Sequence, residues 1–427
     1  MLANKVYILD YDVISPIGVG RDSMMDGINA NTSADKDCKR VNTKGIPFNR
    51  AAEVAEDLSE LYKDESDELK NTIQYDRKLE LLAACYGKMK DRVAELVPKF
   101  DIEKTGVLIG VGADVVPLTL FEDLIRNYAR KDQNAIKELY TAFSRENSRI
   151  NTVNNPYDLY SVYLAEKFNA GAYQKSILTA CVSSTQAIAL ASDSIRNGEC
   201  EVVITGGTDS LVNLLALISF GKLGIIPESD GEKSCFPFDT KRKGTLAGEA
   251  AGIVIMASED FVKRHELKPV AQFMGYGNTL DGYKITAPDP EGTAMVQAIK
   301  DAVNNAGITT DQIDYINAHG TGTRHNDHLE LQCLERALGK EVNTIPISST
   351  KDRHGHAIAA AGVQELCLLL ELMKHNTIPK NLQLTSPCDT SFNLVNENYA
   401  APIKYALTNN FAFGGINTVL TIKNELL

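Results

Sequence analysis

Short apolar runs ending in glycine or another small residue recur along the whole chain, and amphipathic stretches of helical period separate them. Val6 to Leu9, Thr105 to Gly110, Ser176 to Leu178 and Val202 to Thr205 form an early set. Ile253 to Met256, Tyr315 to Ala318, Thr344 to Ser348 and Thr418 to Ile422 form a late one. Between them lie Leu79 to Val97, Ser184 to Arg196, Ala294 to Ala306 and Gly362 to Met373, each with one apolar face. Buried strands alternating with one-faced helices leave few architectures open, and they predict an α/β fold. Two sets of strands predict two halves, with a seam around residues 245–260. Residues 113–155 are charged, helix-like and longer than a normal connection, which predicts a lid, a cap or part of an oligomer interface.

Composition matters chiefly for what it removes. Lys plus Arg number 44 against 56 Asp plus Glu, a net charge of -12 that makes a poor general polyanion binder and sets nucleic acid aside. An acidic partner protein would need a local basic patch. No run approaches the ~18 uninterrupted apolar residues of a spanning helix. The first residues lack the long apolar stretch of a secretory leader, and eight dispersed cysteines read as free thiols, so a cytoplasmic location is expected.

Four segments carry the chemistry. In Ile177-Leu-Thr-Ala-Cys181-Val-Ser-Ser-Thr-Gln-Ala, a strand runs through a small-residue turn into a helix. Cys181 at that turn would feel the helix N-terminus, which favours thiolate. On this segment alone, a small buried cysteine fits as well as a nucleophile. The second segment, Asn317-Ala-His319-Gly-Thr321-Gly-Thr323-Arg-His325-Asn-Asp327-His328-Leu-Glu330, puts His319 at a strand end. Thr321 and Thr323 there offer hydroxyls to a polar ligand. His319, His325 and His328 fit no standard zinc spacing, so no metal is expected, and His325 and His328 read as plain loop histidines. The third, Ile347-Ser-Ser-Thr-Lys351-Asp-Arg-His354-Gly355-His356, enters an Ala-rich helix. His356 at that entrance would be kept neutral by the helix dipole. Lys351 is either a solvated charge or a buried cation paired with a carboxylate such as Glu330. The fourth, Asn409-Asn410-Phe411-Ala412-Phe413-Gly414-Gly415-Ile416-Asn417, suits a tight mobile loop. Alone it reads equally as a simple hairpin.

In this order the four segments resemble the β-ketoacyl synthases, condensing enzymes of the thiolase-like superfamily: T-A-C-x-S-S, then H-G-T-G-T, S-T-K-x-x-x-G-H and F-G-G-x-N. Weaker echoes are Ser15-Pro16-Ile17-Gly18, Asp76-Arg77, Gly206-Gly207-Thr208-Asp209, Pro237-Phe238-Asp239 and Gly248-Glu249. The resemblance implies two pseudo-symmetric α/β halves in a five-layered αβαβα core. Residues 1–250 would hold Cys181, and residues 251–427 both histidines. It further implies a dimer, of like or related subunits, built from the N-terminal halves.

The resemblance also assigns roles. Cys181 would take an acyl group from acyl carrier protein. Malonyl carrier protein would then bring its phosphopantetheine arm between Thr321 and Thr323, and no cofactor of the enzyme's own is implied. His319 and His356 would stabilise the enolate left by decarboxylation, and the carbanion would attack the acyl group to give a 3-oxoacyl product. Backbone N–H groups of Cys181 and Phe413 would form the oxyanion hole, with Phe413 and Gly414 in the gating loop. Lys351 would pair with Glu330, while Asp327 and Glu365 would orient the histidine loops. Thiolases carry a second cysteine in the loop corresponding to Phe413-Gly414-Gly415, and none is present. The alternative is a non-catalytic, chain-length-determining partner subunit, but such relatives usually lose the cysteine kept here.

Several residues depart from the family pattern. Asp10-Tyr11-Asp12 stands where a glycine-rich stretch is usual, and Ile416 where Thr is frequent. Arg353 and His354, replacing a neutral pair, are expected beside the active site and tilt the expectation toward a specialised polyketide or polyene pathway rather than fatty acids. The acidic stretch before Asp76 leaves Lys241-Arg242-Lys243, or Arg126 with Arg130-Lys131, as candidate carrier-docking patches.

Overall fold

The computed structural model describes residues 5–113, 158–285 and 287–427. The expected insertion over 113–155 lies, apart from Ala113, outside the described residues, as do Arg126, Arg130 and Lys131. One large sheet runs through the molecule. Its strands are β1 (Val6–Ser15), β2 (Thr105–Val111), β3 (Tyr173–Ile177), β4 (Val202–Ser210), β5 (Glu249–Ser258), β6 (Ala271–Leu280), β7 (Tyr315–Asn317), β8 (Ile347–Ser348), β9 (Tyr405–Phe411) and β10 (Ile416–Asn424). Gly18–Val19 folds back onto β1, and the others lie in the order β8-β7-β9-β10-β6-β1-β5-β4-β2-β3.

Each half repeats one pattern. From β3 inward the pairings are parallel, parallel, antiparallel and antiparallel, through β2, β4 and β5 to β1. From β8 inward the same sequence runs through β7, β9 and β10 to β6. The halves join where Val6, Tyr7 and Ile8 meet Phe273, Gln272 and Ala271. β5, grouped by sequence with the late strands, pairs with β4 and β1 of the early half. A division at 250/251 therefore cuts through that strand.

Helices α1 (Arg77–Val93) and Leu159–Phe168 cover the outer face of the early half. Those we name α3 (Thr293–Ala306) and α4 (Arg324–Leu338) cover the outer face of the late half. Between the halves lie α2 (Ser183–Arg196) and α5 (Ala361–His375), which touch strands of both. Helix, sheet, helix, sheet, helix makes the five layers. β5 shows why its sequence is apolar throughout: Ile253, Ile255 and Ala257 enter the outer core, while Val254 and Met256 enter the central one. A strand covered on both faces cannot alternate apolar with polar residues. Among the described residues no helix is long and apolar enough to cross a membrane.

Candidate active site

The chain leaves β3 and enters α2 through a turn in which Ala180 takes a left-handed φ of 51°. Ser183 fastens the turn, accepting from the Thr179 N–H at 2.9 Å and donating to the Ala180 carbonyl at 2.8 Å. Gly110 and Gly207 let the helix start lie directly on the strands, since a Cβ at Gly110 would overlap the Ser184 backbone. Cys181 is thereby held at one wall of a cavity of about 610 Å³ that His319, His356, Thr321, Thr323 and Phe413 also line.

The electrostatics of the thiol differ from the sequence expectation. Burial is the dominant influence and pushes the Cys181 thiol up to about 12, whereas the Lys351 cation and the backbone N–H groups of Phe413 and Cys181 pull it down by less. Desolvation outweighs the helix end, so the resting group is a thiol. His356 Nε2 lies 3.1 Å from Cys181 Sγ, within reach of that proton.

His319 follows β7, and its imidazole stands 5.4 Å from that of His356, edge to face at 82°. Both histidines are held well below the usual imidazole range, first by burial and then by the Lys351 charge. The helix-dipole reading of His356 is corrected here. α5 begins only at Ala361, after a turn over Ile358–Ala360, and His356 instead donates its backbone N–H to the Leu246 carbonyl at 2.8 Å. Its Nδ1 is buried and has no hydrogen-bond partner among the described residues.

Lys351 is a fully buried cation, but Glu330 is not its partner. Its Nζ pairs with Glu365, and also donates to the His319 carbonyl at 2.6 Å and lies 3.5 Å from His319 Nδ1. Glu330 instead accepts the backbone N–H groups of His319 at 2.8 Å and Gly320 at 2.9 Å, plus the Asn409 amide at 3.1 Å. Burial raises its carboxyl to about 7. Asp327 takes the Gly322 and Phe238 N–H groups and is raised to about 6 for the same reason. Two acids on α4 thus shape the His319 loop, while Glu365 on α5 serves the lysine. Asn409 and Asn410 escaped the sequence reading as partners of these acids. Their signal is two amides at adjacent, fully buried positions of a strand, where they need partners.

Phe413 stacks on Phe220 with ring centroids 6.4 Å apart, and Gly414 is exposed with φ 79°. Gly415 has φ 75° and faces the Asp281 carboxylate, which a Cβ there would overlap. Thr321 and Thr323 hydroxyls are 2.9 Å apart at the cavity wall. His325 and His328 lie on α4 rather than in a loop, and His325 reaches the cavity.

Arg353 and His354 do not line the cavity. Arg353 points to Asn31 Oδ1 at 3.2 Å and the Lys380 carbonyl, and His354 bridges Thr350 Oγ1 and the Gly355 carbonyl. Both are buried behind the Lys351 turn, so they give no reason to expect a specialised substrate. Of the basic run, Lys243 lines the cavity beside Arg324 and pairs with Asp230, while Arg242 donates to the carbonyls of Asp239 and Arg324. In the acidic stretch, Asp64 pairs with Lys90, and Glu65 with Lys167. Asp10 and Asp12 are taken up by Arg21 and Arg92.

Comparison with known proteins supplies the family. Residues 4–261 match the family described as "Beta-ketoacyl synthase, N-terminal domain", and residues 270–385 match "Beta-ketoacyl synthase, C-terminal domain". A 3-oxoacyl-[acyl-carrier-protein] synthase 2 of Coxiella burnetii is 27% identical over 99% of both chains. One from Rhizobium meliloti is 36% identical over 58% of this chain and 60% of its own. Among solved structures, a type II polyketide-synthase acyl-carrier protein in complex with its ketosynthase bound to the hexaketide gives a TM-score of 0.80 at 25% identity, covering 99% of each chain. The ishigamide ketosynthase/chain length factor gives 0.83 at 24% over 99% of each, a likeness of fold. With both domain families matched in order, and a cysteine and two uncharged histidines gathered at one cavity, this chain belongs to the β-ketoacyl synthases, condensing enzymes of the acyltransferase class.

Proposed function

We propose that Cys181, His319 and His356 carry out a decarboxylative condensation between a Cys181-bound acyl group and malonyl carrier protein, giving a 3-oxoacyl product. The observation that carries this reading is the 3.1 Å separation of Cys181 Sγ from His356 Nε2 in a cavity shared with His319. In the first half-reaction, Sγ attacks the acyl thioester, and its proton passes by way of His356 Nε2 to the departing pantetheine sulfur. The N–H groups of Cys181 and Phe413, which act on the sulfur, would receive the developing oxyanion.

In the second half-reaction both imidazoles donate to the malonyl thioester oxygen, and loss of carbon dioxide leaves an enolate held by those bonds. Lys351 beside His319 Nδ1 keeps that histidine's proton on Nε2. Among the described residues His356 has no partner fixing its Nδ1, so its Nε2 can accept in the first half and donate in the second. The enolate carbon attacks the Cys181 thioester, the C–C bond forms and Sγ leaves as thiolate. Thr321 and Thr323 hydroxyls suit the amides of the pantetheine arm, and Lys243 with Arg324 at the same cavity suits its phosphate. No cofactor enters the scheme. A second copy, or a related subunit, would add to β3, the end strand of the early half, next to exposed Leu178 and Leu190.

Cys181→Ala, incubated with acyl and malonyl carrier proteins, should give no elongated product by mass spectrometry while its circular dichroism stays that of the parent. Undiminished elongation would exclude the mechanism. The same assay with a panel of primers separates fatty-acid from polyketide or polyene synthesis, and sedimentation equilibrium reads the subunit count.

A further inference from the structure

An unbroken line of buried side chains runs from the nucleophile's helix to the back of His319. Thr185, one turn beyond Cys181 in α2, donates its hydroxyl to Asn410 Oδ1 at 2.6 Å. Asn410, in β9, donates its amide to Glu365 Oε2 at 2.7 Å. The other Glu365 oxygen accepts from Lys351, which in turn meets the His319 carbonyl and Nδ1. Thr185, Asn410 and Lys351 are wholly buried, and Glu365 nearly so. The line is also tightly enclosed, because a Cβ on Gly362 would overlap Thr185 Oγ1 and press on Asn410 Oδ1.

Hydrogen-bond chemistry makes this line directional. An ionised carboxylate only accepts, so Asn410 must turn its NH2 end to Glu365 and its oxygen away. The carboxylate fixes the NH2 end of the amide, and the Thr185 hydroxyl satisfies the oxygen at the other end. Without that hydroxyl, Asn410 Oδ1 would be buried and unpaired, or the amide would flip and set oxygen against oxygen. A Lys–Glu pair cut off from water needs its remaining lone pairs and protons satisfied to offset the loss of solvent. Bonds to the second carboxylate oxygen favour the ionic form.

Resting on the condensation reading above, we infer that Thr185 and Asn410 are positioning residues. They hold the Glu365 carboxylate, and through it the Lys351 ammonium, in place against His319 Nδ1, which leaves the His319 proton on the nitrogen that faces substrate. The same ammonium assists the Cys181 thiolate, so one relay serves both halves of the reaction.

The test uses Thr185→Val, Thr185→Ser and Asn410→Leu in the full chain. One readout is the rate of Cys181 alkylation by iodoacetamide at pH 8, followed by peptide mass spectrometry without substrate. The other is kcat and KM for malonyl-carrier-protein turnover. Thr185→Val and Asn410→Leu should slow alkylation and lower kcat by about ten-fold, equivalent to one pK unit, with KM unchanged. Thr185→Ser, which restores the hydroxyl, should stay near the parent. Parental rates in Thr185→Val, or equal loss in Thr185→Ser, would overturn the relay and leave only packing. If Asn410→Leu does not fold, the Thr185 pair decides alone. A parent chain inert toward malonyl carrier protein would refute the condensation reading, whereas the alkylation rates would still judge the relay.

Discussion

At the scale of single residues, Cys181 is where influences of opposite sign meet. The helix start and the Lys351 cation favour thiolate, but the loss of solvent favours thiol by more, and the native value of about 12 follows. Below that value the thiolate fraction rises ten-fold per pH unit. The rate of Cys181 alkylation by iodoacetamide should therefore climb about ten-fold for each unit from pH 7 to pH 10, without levelling off near the ordinary thiol pKa. A plateau beginning near neutrality would show a pre-formed Cys–His ion pair instead. The sequence singled out Cys181, His319 and His356, which the structure brings to one cavity, but not the pairings around them. Lys351 has Glu330 and Glu365 available on either side of it along the chain, and which of them it meets depends on how α4 and α5 pack.

At the scale of elements, the site depends on backbones that approach closely. α2 rests on β2 and β4 because Gly110 and Gly207 present no side chain, and α5 meets α2 at Gly362. The sequence showed these glycines at a strand end, in a Gly-Gly pair and at the start of an amphipathic stretch, but spacing along one element does not reveal which element crosses it. Gly110→Ala should cost about 1–3 kcal/mol in denaturant unfolding as α2 is pushed off the sheet. Its kcat should fall as well, since Cys181 lies in the turn that leads into the displaced helix. A variant with parental kcat would mean that the helix start tolerates the shift. The early start of β3 and the late start of α5 were misjudged for a related reason. Polar edge residues such as Gln174 and Lys175 carry no apolar signal, and the Ala-rich run from Ala357 reads as helix although its first turn is tighter than an α-helix.

Over the whole molecule, ionisable groups deep in the core tie folding to pH. His354 is held down to about 3 from an ordinary 6.5, by burial first and the Lys351 charge second. Below pH 6.5 the unfolded chain takes up a proton there that the native chain refuses, so native stability falls as pH falls, down to about 3. Glu330, Asp327 and Asp352, all raised by burial, run the other way: each keeps a proton the unfolded chain has lost, and stability rises as pH drops through their native values. These contributions offset one another, so a difference between two proteins is the cleaner measurement. The stability of the parent minus that of His354→Gln should decrease by about 1.4 kcal/mol per pH unit below 6.5, and a constant difference would contradict a neutral native His354. The alternation of strands and helices, the α/β class and the motifs of the candidate site were already legible in the sequence, because apolar periodicity and local motifs are written in neighbouring residues. Which acid meets Lys351, what sets the thiol's resting state, and where Arg353 and His354 point were decided only by the tertiary structure. Each of these turns on desolvation and on contacts between elements far apart in the chain, and both exist only once the layers have closed.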